Sequence, residues 1–465
     1  MKFRNLGRAL ALIAGFAGIT LGLTSCADHT VGYVYVLGTQ YNQISELQED
    51  NNNGILKSIK GNPVSSGGAD PIRAVTPTGN RFLYVLNAGT PMTDTTQLLP
   101  TGAPNPDYGS VTYSSGNITV FSIGGYGQLS QQIQYTSQGF GSQRLAVDAA
   151  GAHLFVLDEY APVGITAGSS TSPTASPAQS TNYPCLGSDS LYHPTGDITV
   201  YDIDPATGRL TVQPNARNEV LTYFPVGCFP VDFRLTSAYV YTMDAGSTTN
   251  NDVQTINVQS VSTAGQLAPT QTNVIPIRNT NAPGTIPQIS AVNGNGSTYL
   301  YLIDTVNDDL YLYTINAGSG ALTAVTGAAP YNNGTNTAAG GPVQTVVDST
   351  GKFLFVANGG TPLQSTTNGG TTPAADIGVY NIDATTGLLD TPSAGSPFTA
   401  GDISGPVCIF EDPTNQYIYS AGSNDNSITG RKLDPNTGTL KDLNKATAFP
   451  TVGTPSWCLA ISSTF

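Results

Sequence analysis

The sequence predicts an all-β fold, a seven-bladed β-propeller of four-stranded antiparallel blades, and three observations carry that expectation. First, an alternating run recurs seven times: Tyr33-Val34-Tyr35-Val36, Phe82-Leu83-Tyr84-Val85, Leu154-Phe155-Val156-Leu157, Tyr239-Val240-Tyr241-Thr242, Tyr299-Leu300-Tyr301-Leu302, Phe353-Leu354-Phe355-Val356 and Tyr417-Ile418-Tyr419-Ser420. Period-two alternation bounded by Gly, Asp and Asn marks strands joined by tight turns. Second, only 10% of the residues are charged, while Gly (52), Pro (31) and Tyr (23) are abundant, which suits short strands and many turns. Third, the propeller begins on the second strand of a blade (31–37) and ends on a first strand (456–462). One blade is therefore shared between the two termini. Such sharing closes a ring and hides both sheet edges, which an open stack of repeats leaves exposed.

Taken in order, the chain opens with Lys2, Arg4 and Arg8, an apolar stretch over 9–22, and Leu23-Thr24-Ser25-Cys26. A positive start, a short apolar region and small residues before a cleavage point read as a secretory signal over 1–25. The Leu-Thr-Ser-Cys site resembles a bacterial lipobox, so Cys26 is the expected lipidated residue, 26–30 a tether and 31–465 the propeller. The apolar stretch is shorter than the ~20 residues a membrane-spanning helix needs. Membrane contact is accordingly expected through the lipid alone, in the bacterial cell envelope.

Each blade, with strands A to D counted outward from the channel, continues from its B strand into a C–D hairpin. The best defined are 198–210, 377–389 and 428–440, whose Asp-x-x-Thr-Gly turns (204–208, 383–387, 434–438) place Asp where it bonds the following backbone and Gly where φ is positive. The A strands open with Pro71, Pro230, Pro287, Pro342, Pro406 and Pro455, with Ser142 in the equivalent place. Proline fits the first residue of a strand because no ladder donor is lost there. Insertions at 88–116, 159–196 and 359–375 all fall on the face that carries the B–C and D–A connections. Their Ser/Thr/Gly/Pro composition cannot build a core.

With Cys26 spent on lipid, four cysteines remain, an even number that in an exported chain predicts disulfides. Cys185 and Cys228 lie on the insertion-bearing face of one blade, and Cys408 and Cys458 start the A strands of neighbouring blades. The expected pairs are Cys185–Cys228 and Cys408–Cys458. No metal site and no cofactor is expected, since no cysteine or histidine cluster has ligand spacing. Signal cleavage removes three basic and no acidic side chains, leaving 14 basic against 31 acidic residues, net −17. That charge repels phosphate backbones, so nucleic acid is excluded as a partner.

The Pro-x-x-x-Val openings, Tyr84-Val85-Leu86-Asn87 and the Ile-x-Val-Tyr-x-Ile-Asp stretches at 198–204 and 377–383 resemble the lactonase-like, YVTN-type seven-bladed propellers, a superfamily that includes a bacterial 6-phosphogluconolactonase. Propellers of the WD-repeat and quinone-cofactor kinds fit less well, the single tryptophan being Trp457. The resemblance implies a site at the channel entrance, with a His, an Arg and a Glu near A-strand starts and B-strand ends. Here the third positions of the A strands read Arg73, Arg144, Asp232, Ile289, Gln344, Cys408 and Trp457. None is a histidine; His29, His153 and His193 lie elsewhere. Arg73, Arg144, Gln344 and Trp457 are the candidate ligand-binding residues, and Asp158, Glu159 and Asp232 the candidate bases.

Two functions remain open. One is a binding or scaffold module that presents a small anionic or sugar-like ligand site, or a protein surface, on the loop-bearing face. The other is hydrolysis of a sugar-acid lactone, in which arginines would steady the oxyanion and a carboxylate would activate water. Asp or Asn at the ends of B strands is also an ordinary turn satisfier. The leader carries its own test: Cys26→Ser should abolish fatty-acid labelling and lipoprotein processing in cells, and normal acyl labelling of that variant would remove the lipid anchor from the account.

Overall fold

The computed structural model describes residues 30–77, 79, 81–89, 92–93, 112–113, 116–161, 195–217, 221–228, 230–244, 255–274, 288–294, 297–304, 309–325, 331–332, 341–359, 375–392, 394–399, 405–443 and 448–464. These form seven antiparallel sheets in a ring, a seven-bladed β-propeller with no helix among the described residues. Cys26 and Cys185 lie outside the described residues.

Blade one is the shared blade. Its A strand, Pro455–Ser462, pairs with the B strand Thr30–Gly38 in a register running from Gly32↔Ser462 to Gly38↔Pro455. Blades two to seven each take A, B, C and D in chain order, their A strands starting at Pro71, Phe140, Pro230, Gln288, Pro342 and Pro406. Consecutive A strands neighbour one another around the channel, and the ring closes where Pro406–Glu411 of blade seven meets Pro455–Ser462 of blade one. In five blades the outermost strand is split into two short pieces that pair with opposite ends of strand C, as Leu440–Asp442 and Phe449–Pro450 do in blade seven. Within the 88–116 insertion, Met92–Thr93 and Thr112–Tyr113 form a two-residue ladder.

Seven apolar clusters make up the core, and each spans two adjacent blades. The B strands sit in the middle of their sheets and are buried on both faces, so Val34, Tyr35, Leu83, Tyr84, Val240, Tyr241, Leu300 and Tyr301 are all at 0–1% exposure. The Tyr-x-Tyr spacing has a specific cause at these interfaces. The second tyrosine donates its hydroxyl to the carbonyl of the C–D turn glycine of the next blade: Tyr35 to Gly127 at 2.7 Å, Tyr84 to Gly208 at 3.0 Å, Tyr241 to Gly320 at 3.1 Å, Tyr419 to Gly54 at 2.8 Å, and Tyr301 to Gly387. The first aromatic of the pair lies against the same glycine. A Cβ on Gly320 (φ +71°) would come within 2.5 Å of the Tyr239 ring, so glycine is required there both for its dihedral and for its missing side chain. Blades three and six carry Phe155 and Phe355 in the donor position and make the contact by packing alone.

Three of the A–B turns are built on one carboxylate each. Asp348 accepts from the amides of Thr350, Lys352 and Phe353, Asp412 from those of Thr414, Gln416 and Tyr417, and Asp148 from those of Ala152 and His153. His153 is held on this turn between Asp148 (2.7 Å) and Asp202 (3.4 Å), away from the channel.

Ring closure has two polar features. Cys408 and Cys458 form the expected disulfide, with Cα atoms 5.9 Å apart, and tie the A strands of blades seven and one together. Glu49 of blade one is fully buried at the same interface, where Oε1 accepts from Tyr419 and Oε2 has no partner. Burial, reinforced by Asp412, pushes its carboxyl up to about 8.

Two outcomes follow from this construction. Tyr241→Phe removes a buried donor and leaves the Gly320 carbonyl unpaired, and it should cost about 1–2 kcal/mol in chemical denaturation; an unchanged midpoint would mean that packing alone holds the blades. Glu49 holds its proton more tightly in the folded than in the unfolded chain. Its contribution is fully present below pH ~4.5 and is lost as pH rises through about 8. The melting temperature should therefore fall across that window, and Glu49→Gln should flatten part of the fall; an identical slope in the variant would count against this assignment.

Candidate functional site

A repeated backbone irregularity builds the channel wall. In six of the blades the A–B register shifts between the first and third A-strand positions: Pro71/Arg73, Ser142/Arg144, Pro230/Asp232, Pro342/Gln344, Pro406/Cys408, and in blade one opposite Leu37/Gly38, where Pro455 and Trp457 stand. A bulge inserts one residue into one strand and re-aims the side chains beside it. Proline at the first position gives up no ladder donor. The blade-five strand Gln288–Gly294 pairs without a shift.

Five of the third-position residues meet in a single cavity of about 350 Å³: Arg73, Arg144, Asp232, Gln344 and Trp457. The sixth, Cys408, is turned into its disulfide and is fully buried. The remaining wall comes from the later parts of the A strands, Val75–Thr76, Leu145–Val147 and Phe233–Leu235. The cavity thus runs from the bulges toward the A–B turns, away from the end of the ring that carries the insertions.

Arg144 Nε donates to Asp232 Oδ1 at 2.8 Å, and its Nη1 donates to the Gln143 carbonyl at 2.9 Å. Asp232 Oδ1 also accepts from the Phe233 amide. Of the two arginines read from the sequence, this one is therefore neutralised by a neighbouring blade. Arg73 is not. Its Nη1 donates to the Ile72 carbonyl at 2.6 Å, its Cζ stands 4.3 Å from the Trp457 ring centroid, and its Nε is buried without a partner. Burial and the neighbouring Arg144 guanidinium pull Arg73 well below arginine's ordinary range, with Asp232 opposing them. Trp457 donates its indole N–H to the Ala74 carbonyl at 3.2 Å and packs into the cores on either side of blade one. It seats Arg73 instead of offering a free ring face to a ligand. Gln344 accepts the Ile409 amide through Oε1 at 3.0 Å, and this orients its NH₂ as the free end.

A further residue, Arg234, escaped the sequence reading. It lies two positions beyond Asp232 and, by strand alternation, on the same side. Its side chain is exposed in the channel and makes no hydrogen bond or ion pair with the described residues. The signal was the charged-apolar-charged pattern Asp232-Phe233-Arg234 inside an A strand. The cavity therefore holds three guanidiniums and one carboxylate, in a chain whose overall charge is −14.

The other candidate bases lie elsewhere. Asp158 is fully buried, accepts from the Ser137 and Ser142 hydroxyls and from the Gly139 amide (3.0 Å), and does not line the cavity. Burial pushes it up to about 6 against those bonds. It stands opposite the equally buried Asp197, which burial and Asp158 push up further. Glu159 is half-buried, accepts from Gln143 Nε2 at 3.1 Å, and is likewise outside the cavity. Asn87 with Asn117 (2.8 Å), Asp244 with Thr255 (3.1 Å) and Asn358 with Asp376 (2.6 Å) repeat the arrangement at other B-strand ends. These pairs tie strand B to strand C, the work of a turn satisfier. No histidine of the described residues reaches the cavity, and among them no three His, Cys, Asp or Glu side chains come together.

The ring of seven blades and its channel cavity define a seven-bladed β-propeller. Residues 239–459 match the family model described as "Lactonase, 7-bladed beta-propeller". No curated protein matches the sequence. Among solved structures, the chain is similar to a periplasmic gluconolactonase of Pseudomonas aeruginosa (14% identity, 93% of this chain and 99% of that one, TM-score 0.60). It is similar also to a Bacteroides fragilis protein provisionally named a 6-phosphogluconolactonase (16%, 94% and 99%, TM-score 0.58) and to a Lactobacillus plantarum protein (16%, 92% and 99%, TM-score 0.57). At such identities the shared property is the fold.

Proposed function

We propose that this propeller is a binding module whose channel captures a small, acceptor-rich anion, such as the carboxylate of a sugar acid. The observation that supports the reading is the donor inventory of the cavity. The Arg73 and Arg144 guanidiniums and the Gln344 amide stand in the cavity with one carboxylate already bonded to Arg144, and Arg73 keeps a buried N–H with no partner. A buried unsatisfied donor is costly, and a carboxylate or phosphate supplies the lone pairs that relieve it. The surrounding wall excludes much of the water that would otherwise screen the pair.

A second reading, lactone hydrolysis, draws on the family description and on Asp232, the only carboxylate of the lining. A base for water needs a free lone pair and room for the water. Asp232 is held by Arg144 and the Phe233 amide, no histidine of the described residues lines the cavity to share the proton transfer, and the binding reading is preferred for those reasons. We place the protein, as an exported lipoprotein held through Cys26, in the bacterial cell envelope, on the strength of its leader and its even set of remaining cysteines.

Arg73→Ala combined with Arg144→Ala should abolish the thermal shift produced by gluconate or phosphate on the mature protein, with an unliganded melting point lowered only by the loss of the Arg144–Asp232 pair. A loss of unliganded stability with the anion response intact would favour a purely structural role for the pair. Turnover of a sugar lactone above the solution rate that survives both substitutions would place a catalytic site on other residues.

A further inference from the structure

Arg234 lines the same cavity as Arg73 but takes no part in the hydrogen bonds around it. It lies two residues past Asp232 on the same strand and side, which puts it roughly 6–7 Å farther along the channel toward the A–B turns. It also lines a second cavity of about 370 Å³ that opens beyond the first, bounded by Val147, Leu235, Thr236, Ser237 and Ile315. Arg234, Leu235 and Val147 are common to both, so the two spaces meet at this guanidinium.

The charges along this path are unevenly held. Near the bulges, Arg144 is bonded to Asp232 and Arg73 is left in excess. Farther out, Arg234 is a second excess charge with no acceptor among the described residues. Burial pulls Arg234 below arginine's ordinary range with Asp232 opposing it, so the carboxylate that is bonded to Arg144 also acts on Arg234. A compact monoanion satisfies one locus and leaves the other open.

We propose that Arg234 is a second anion-binding position and a specificity-determining residue: the channel selects an elongated ligand bearing two separated anionic groups, one on Arg73 and the other on Arg234. The inference rests on the anion-binding reading above. It adds that the ligand is a dianion and that it enters from the A–B-turn face. Of the charged side chains that line the two cavities, Arg234 is the one nearest that face, and a positive charge in a cleft steers an anion inward. Arginine suits the position because its planar fork grips a carboxylate through two parallel bonds.

The test is calorimetric titration of the full mature chain with hexanoate, adipate and sulfate at one ionic strength. Hexanoate and adipate have equal carbon number but one and two carboxylates; sulfate puts two charges on one centre. Adipate should bind at least about tenfold tighter than hexanoate, as one added charge-assisted contact implies. Arg234→Gln should bring adipate down to the hexanoate level while moving hexanoate and sulfate by less than about twofold. Arg234→Lys should retain part of the adipate preference, and Arg73→Ala should weaken all three. Equal wild-type affinities for adipate and hexanoate, both dependent on Arg73, would overturn the second position and leave the anion-binding reading standing. An Arg234→Gln variant that loses all three anions equally would make Arg234 part of one general field and overturn the proposal in the same way. Binding of none of them to the wild-type chain would overturn both.

Discussion

The contact on which the ring depends is the meeting of a B-strand aromatic pair with a turn glycine of the next blade. A propeller blade buries both faces of its sheet against neighbours, and apolar packing between them has no preferred rotation. The tyrosine hydroxyls supply one. Each reaches past the packed ring to a single carbonyl, as Tyr35 does at Gly127 and Tyr419 at Gly54, so at five of the seven interfaces a blade sets the pitch of the next. The bond is buried, and its loss leaves an unsatisfied carbonyl, so the interface tolerates misalignment poorly. Because Tyr419 and Gly54 belong to blades seven and one, the same contact also closes the circle.

That closure carries extra constraints of other kinds. The C-terminal strand completes the N-terminal blade, a disulfide joins the A strands of blades seven and one, and Glu49 lies beneath them without a full set of donors. Tyr419 has one proton and two acceptors in reach, the Gly54 carbonyl and Glu49 Oε1. A protonated Glu49 resolves the conflict by becoming a donor itself, which agrees with the upward direction of its titration.

The channel site depends on the ring in a simple way. Bulges at the same A-strand position aim five side chains into the cavity and the sixth, Cys408, into its disulfide, and the chemistry of the five then decides what the cavity accepts. Asp232 bonds Arg144 across a blade boundary, and Trp457 of the shared blade seats Arg73 of blade two. The site is thus assembled from residues almost 400 positions apart in the chain, and its spacing is only as definite as the blade rotation set by the tyrosines. The buried acids at the B-strand ends serve the sheets: Asp158 spends its oxygens on Ser137, Gly139 and Ser142 and lies outside the cavity, although its burial and raised titration range would equally suit a general acid.

The sequence by itself determined the architecture: the number of blades, the strand order, the shared blade, the A-strand openings and the Cys408–Cys458 pair. Those are legible because alternation, turn glycines and strand-opening prolines are local rules that each repeat states again. It also named five of the residues that line the cavity, since equivalent positions in a closed ring must face one axis. Only the tertiary structure decided how those residues are used. Pairing across blades depends on side-chain reach and on the rotation between sheets, and neither is written in a strand's own pattern. Arg144 and Asp232 neutralise each other, Trp457 serves Arg73, and Asp158 turns away toward Ser137 and Ser142. Arg234, an ordinary charged residue in a strand when read alone, stands in the cavity without an ion pair among the described residues because Asp232, the carboxylate of the lining, is bonded to Arg144.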